Sequence, residues 1–112
     1  MLRGEVAAWL PRCRYLKVDA EGHDLAILAS IMPALREWQP VIRTEVFRKL
    51  RAAERYKLHD FLVEAGYDVF RYGGGDRPQG EPVARRGMTV QKHFDVLALP
   101  RRERAKSTRL AA

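Results

Sequence analysis

Apolar residues fall in short runs along this chain, and the spacing within the runs changes period. Tyr15-Leu16-Lys17-Val18 is an apolar run around one lysine; it predicts a strand over Arg14–Asp19 that turns through Glu21-Gly22. From His23 to Trp38 the spacing is helical, with Leu25, Leu28 and Met32 on a stripe that Ile27 and Ile31 broaden. Pro33 lacks the donor a helix interior needs, so it splits this segment and opens a second short helix. Pro40 to Phe47 predicts the next strand. Arg51 to Ala65 predicts a helix, because Leu58, Phe61, Leu62 and Ala65 recur at i, i+3, i+4 and i+7 and Gly66 supplies the stop. Tyr67 to Tyr72 reads as a strand packing through Tyr67, Val69 and Phe70. Gly73 to Gln91, rich in Gly, Pro and Arg, reads as a long connection or loosely paired hairpin, and His93 to Leu99 as the last strand. Upstream, Glu5 to Leu10 fits a short helix stopped by Pro11.

Strands alternating with helices imply right-handed crossovers and a parallel sheet, hence an α/β fold. The last two strands have no helix between them and are free to pair antiparallel. In open α/β sheets ligands bind outside the carboxyl ends of the strands. Asp19, Glu21 and Glu45 fall at such ends.

Composition narrows the class. A chain of 112 residues is one domain at most, and 46% hydrophobic residues exclude a disordered chain. Every apolar run is interrupted within a few residues by charge or proline, so no membrane span is expected, nor a signal peptide over Met1–Arg14. Cys13 is the one cysteine; with no internal disulfide possible, a cytoplasmic location is expected. More than half of the net charge of +7 sits after Pro100, in Arg101, Arg102, Arg104, Lys106 and Arg109 against Glu103. That stretch has no apolar periodicity, so a domain over residues 1–100 and a basic, disordered tail over 101–112 are expected. No aromatic residues interleave with the basic ones there, so a nucleic-acid partner is not expected.

Four segments in order carry a family resemblance. They are Leu16-Lys17-Val18-Asp19-Ala20-Glu21-Gly22-His23-Asp24, Gln39-Pro40-Val41-Ile42-Arg43-Thr44-Glu45-Val46, Leu62-Val63-Glu64-Ala65-Gly66-Tyr67-Asp68-Val69-Phe70 and Phe94-Asp95-Val96-Leu97-Ala98-Leu99-Pro100. Together they resemble the second half of an FkbM-type methyltransferase domain. The resemblance implies a partial doubly wound, mostly parallel sheet, like the second half of a class I methyltransferase, with helices on its faces. One antiparallel strand, the last, would lie between the second and third. It also implies S-adenosylmethionine as cofactor, and methyl transfer to a hydroxyl of a small molecule or sugar. The strand and glycine loop that open such a domain, and hold most of the cofactor, have no counterpart before Arg14. Gly73-Gly74-Gly75 is no substitute, since no helix follows it. The chain is therefore expected to be inactive alone. The alternative is a non-catalytic remnant or binding module that self-associates or pairs with another chain through an exposed first strand.

By position and resemblance, Asp19 and Glu21 are candidate catalytic carboxylates, Asp19 also facing the cofactor and Glu21 the acceptor. The structural alternative has Asp19 bonding turn amides and Glu21 favouring the positive end of the next helix. His23 is a candidate base or an exposed first-turn histidine. Asp24 reads as helix N-terminal charge. Glu45 should approach Asp19 from the neighbouring strand and contact the acceptor. Asp19, Glu21 and Glu45 are oxygen ligands of the type Mg²⁺ favours, but they match no spacing rule, and no metal is assigned. His59 reads as a helix-surface residue; His93 has no partner at metal-ligand spacing; Arg85 and Arg86 read as loop arginines able to touch an anion.

Overall fold

The computed structural model describes residues 14–101. The helix expected at Glu5–Leu10, Cys13 and the tail beyond Arg101 lie outside the described residues. The first strand, β1 (Tyr15–Val18), ends where Glu21 and Gly22 take left-handed backbone angles, φ +47° and +101°. That reversal delivers the chain into α1 (Asp24–Ser30). Helix α2 (Met32–Trp38) follows with Pro33 in its first turn, the break expected from its missing donor. Gln39 ends α2 at φ +50°, and its side-chain amide donates to the carbonyls of Leu35 and Ala65, 3.1 and 3.0 Å away. One side chain thus closes α2 and holds it to the end of α3 (Ala52–Glu64).

Strand β2 (Val41–Val46) lies between α2 and α3, and its residues alternate half-buried and buried. After α3, Gly66 turns at φ +103° into β3 (Tyr67–Tyr72). A Cβ on Gly66 would sit 3.1 Å from the Gln39 amide, so the glycine makes room for that clamp. Strand β4 (Gln79–Pro82), a 3₁₀ helix (Arg85–Thr89) and β5 (Phe94–Pro100) complete the order.

The sheet order is β1-β2-β5-β3-β4. Strand β1 runs parallel to β2, and β5 lies antiparallel between β2 and β3, as expected. One expectation needs correction. The Gly73–Gln91 connection contains β4, so two strands run against the others and only the β1–β2 pairing is parallel. Glycine makes this hairpin feasible: a Cβ on Gly73 or Gly80 would lie 2.6 Å from the Arg77 or Arg71 carbonyl oxygen. The sheet is therefore mixed rather than mostly parallel.

The helices among the described residues pack on one face. Register places Leu16, Ile42, Thr44, Val46, Val69, Val96 and Ala98 on the same side. Leu28, Leu35, Leu58, Leu62 and Met88 close over that side in one buried cluster. The other side carries the Arg43–Asp95 ion pair at 2.8 Å, with the Arg43 guanidinium 3.8 Å above the Tyr72 ring. Arg101, grouped with the tail by composition, is anchored: its guanidinium donates to the carbonyls of Tyr67 and Val63 at 3.1 and 2.9 Å.

Candidate functional site

The carboxyl ends of β1 and β2 lie side by side because the two strands are parallel and in register, Val18 opposite Thr44. Asp24, at the start of α1, holds this edge together. It is 1% exposed and accepts three hydrogen bonds, from Ala20 N at 2.9 Å, Thr44 Oγ1 at 2.7 Å and Glu45 N at 2.9 Å. A buried carboxylate is tolerated when donors replace its water, and these three come from both strand ends. The turn-amide role considered for Asp19 belongs to Asp24.

Asp19 is exposed and its carboxylate faces Glu45. The Glu45 side chain is 12% exposed, and its buried Oε1 has no donor in reach. Burial raises its pKa above the ordinary glutamate range, with Asp19 adding to the rise as acceptor of the Glu45 proton and as like charge. Asp24 adds to it and His93 opposes it. Glu45 therefore retains a proton more readily than an isolated glutamate.

His93 completes the group. It precedes β5, whose antiparallel course starts where β2 ends. The Arg48 amide donates to Nδ1 at 3.2 Å, which leaves the ring proton on Nε2, 3.5 Å from Glu45 Oε2. Phe47 meets the ring edge-on, with centroids 5.8 Å apart. His93 was legible as a residue before a strand; its partnership with Glu45 needed the order of strands.

The expected residues thus divide. Asp19 and Glu45 converge. Glu21 and His23 are exposed in the β1–α1 turn, and no hydrogen bond or ion pair joins either to Asp19, Glu45 or His93. Among the described residues no group of three or more His, Cys, Asp or Glu is arranged to hold a metal ion.

Sequence reasoning also missed Arg55. It sits on α3, 5% exposed, and its guanidinium donates to five carbonyls, those of Leu50, Met88, Gln91, Phe47 and Lys92, at 2.6–3.3 Å. These come from the segments after β2 and before β5, so Arg55 fixes the two loops that carry Arg48 and His93. Nothing in helical spacing marks an arginine on the inner side of α3. His59, expected at the surface, is half-buried and bonded through Nε2 to the Val83 carbonyl at 2.8 Å.

Residues 14–101 do not by themselves fit S-adenosylmethionine. The Gly73–Gly75 stretch is closed by its own hairpin, Gly73 N donating to Pro78 O at 2.8 Å. A Cβ on Gly22, the glycine between β1 and α1, would lie 3.6 and 3.7 Å from the Phe47 and Leu50 side chains, so this turn packs beside the segment that follows β2. No described helix is long and apolar enough to cross a membrane. Compared with protein-family models, curated proteins and solved structures, the chain matches none.

Proposed function

We propose that this chain supplies the acceptor-facing edge of an FkbM-type methyltransferase domain, with the cofactor held by residues other than 14–101. The observation that carries the reading is the antiparallel β5 slotted between β2 and β3, which brings His93 to Glu45, the strand-end acid that Asp19 faces. The acceptor is a hydroxylated small molecule or sugar. Its hydroxyl donates to the exposed Asp19 carboxylate; when the O–H bond breaks, the proton passes to Asp19. Glu45, whose pKa burial raises, faces Asp19 and orients it when it carries the proton. His93 Nε2–H steadies Glu45 from the other side.

The test combines the full chain with the polypeptide encoded directly upstream, methyl-labelled S-adenosylmethionine and a panel of hydroxylated acceptors. Label transfer is expected, reduced about a hundredfold in Asp19→Asn and little changed in His59→Ala. Absence of transfer, or transfer that survives the loss of both Asp19 and Glu45, overturns the reading.

A second reading, a non-catalytic module that self-associates or pairs with another chain, draws on β1. Among the described residues β1 is the outermost strand on its side of the sheet, with Tyr15 48% exposed. Sedimentation at micromolar concentration tests the self-associating form of this reading, because a monodisperse monomer is incompatible with self-pairing at this edge.

A further inference from the structure

A cleft of about 440 Å³ opens between the β3–β4 hairpin and the segment that runs through the 3₁₀ helix to Phe94. It lies at the same end of the sheet as Asp19 and Glu45, since Arg71 is near the carboxyl end of β3 and Phe94 begins β5. Its size falls within the range of small-molecule sites. Pro82, Val83, Val90 and Phe94 make its walls apolar, and Val90 is left 80% exposed there.

Two guanidinium groups border these walls. Arg71 is oriented by one bond, Nη1 to Gln91 Oε1 at 3.0 Å, which leaves its other donors for a ligand. Arg86 comes from the 3₁₀ helix, and among the described residues no hydrogen bond or ion pair engages its guanidinium. Its neighbour Arg85 is already committed, paired with Asp60 at 2.9 Å and stacked 4.6 Å from the Tyr56 ring centre. Glu81 is the one carboxylate in the lining. Two cations against one acid leave a single positive charge, which a monoanion neutralises and a dianion overshoots.

We propose that this cleft binds a small organic monocarboxylate with a compact apolar body. Arg86 and Arg71 take the carboxylate through their planar forks, and the body lies against Val83, Val90 and Phe94. The site stands independently of the methyl-transfer reading.

The test titrates 2-naphthoate into the full ¹⁵N-labelled chain, with neutral 2-naphthamide and inorganic phosphate as separate probes. Saturable shifts are expected at the amides of residues 83–91. Arg86→Ala and the 2-naphthamide substitution should each weaken binding about tenfold, the loss of one charge-assisted contact. Arg85→Ala should change it little, and Glu81→Gln should tighten it. Equal affinity for naphthoate and naphthamide, shifts reproduced by phosphate alone, or no saturation overturns the proposal. The Glu81→Gln arm keeps the test decisive if an arginine variant folds poorly.

Discussion

Replacing Arg55 should damage this protein more than replacing any exposed charge. All five N–H donors of its guanidinium are used on five carbonyls, and no carboxylate among the described residues pairs with it. A charge 5% exposed is thus solvated by peptide dipoles alone. Arg55→Met keeps the length of the stem and removes every donor. Each hydrogen bond to a charged group contributes roughly 1.5–3 kcal/mol net, but five bonds on one side chain do not add. Some of the freed carbonyls can recruit water, which sets the expected loss at about 3–5 kcal/mol, the cost of breaking a buried charged contact. That is a large share of the roughly 5–15 kcal/mol that stabilises an ordinary domain. In urea, with a slope near 1 kcal/mol/M for a small domain, the midpoint should fall by roughly 3 M or the variant should be unfolded at the outset. Arg55→Lys retains the charge but offers three donors from one point, so it should recover less than half of the loss. Far-ultraviolet circular dichroism reads the unfolding, and hydrogen exchange should show the amides of residues 88–93 losing protection in both variants. A midpoint shift under about 0.5 M for Arg55→Met would refute the argument, because the carbonyls would then be served equally well by water.

Three further outcomes are expected. Asp24→Ala should cost about 2–4 kcal/mol in thermal unfolding, since it strands a buried hydroxyl and two amides at the β1–β2 edge. Glu45 has a raised pKa when folded, so the native state binds more protons than the unfolded chain; its contribution to stability is greatest below about pH 4.3 and declines as pH rises through the folded value. Denaturation of Glu45→Gln against wild type across pH 3–8 should therefore show the variant gaining relative stability with rising pH, and a flat difference would contradict the burial argument. Gly80→Ala should destabilise the β3–β4 hairpin by at least about 2 kcal/mol, because its Cβ would meet the Arg71 carbonyl oxygen at 2.6 Å; an unchanged melting temperature would refute this.

The cleft and the acidic edge differ in how far they could be read from residues alone. Asp19 and Glu45 were visible because a strand end is a local event: an apolar run stops and a carboxylate follows. Asp24 was read as helix-terminal charge, and its hydrogen bonds to Thr44 and to the Glu45 amide span some twenty residues, beyond what spacing encodes. Arg85 and Arg86 look equivalent in sequence. The fold separates them, one held by Asp60 and the other left at the cleft.

Local patterning determined most of the elements, since helix and strand periods, the Pro33 break and the Gly66 stop are imposed by neighbours a few residues away. It left β4 as an alternative within a connection, because strands built from Gln, Gly, Glu and Pro carry no apolar alternation and exist here through pairing with β3. Which face the helices cover, the burial of Arg55 and the meeting of His93 with Glu45 were decided only by tertiary structure. Each depends on where β5 inserts, and that placement follows from burying Val96 and Ala98 against helices distant in sequence rather than from any residue beside them.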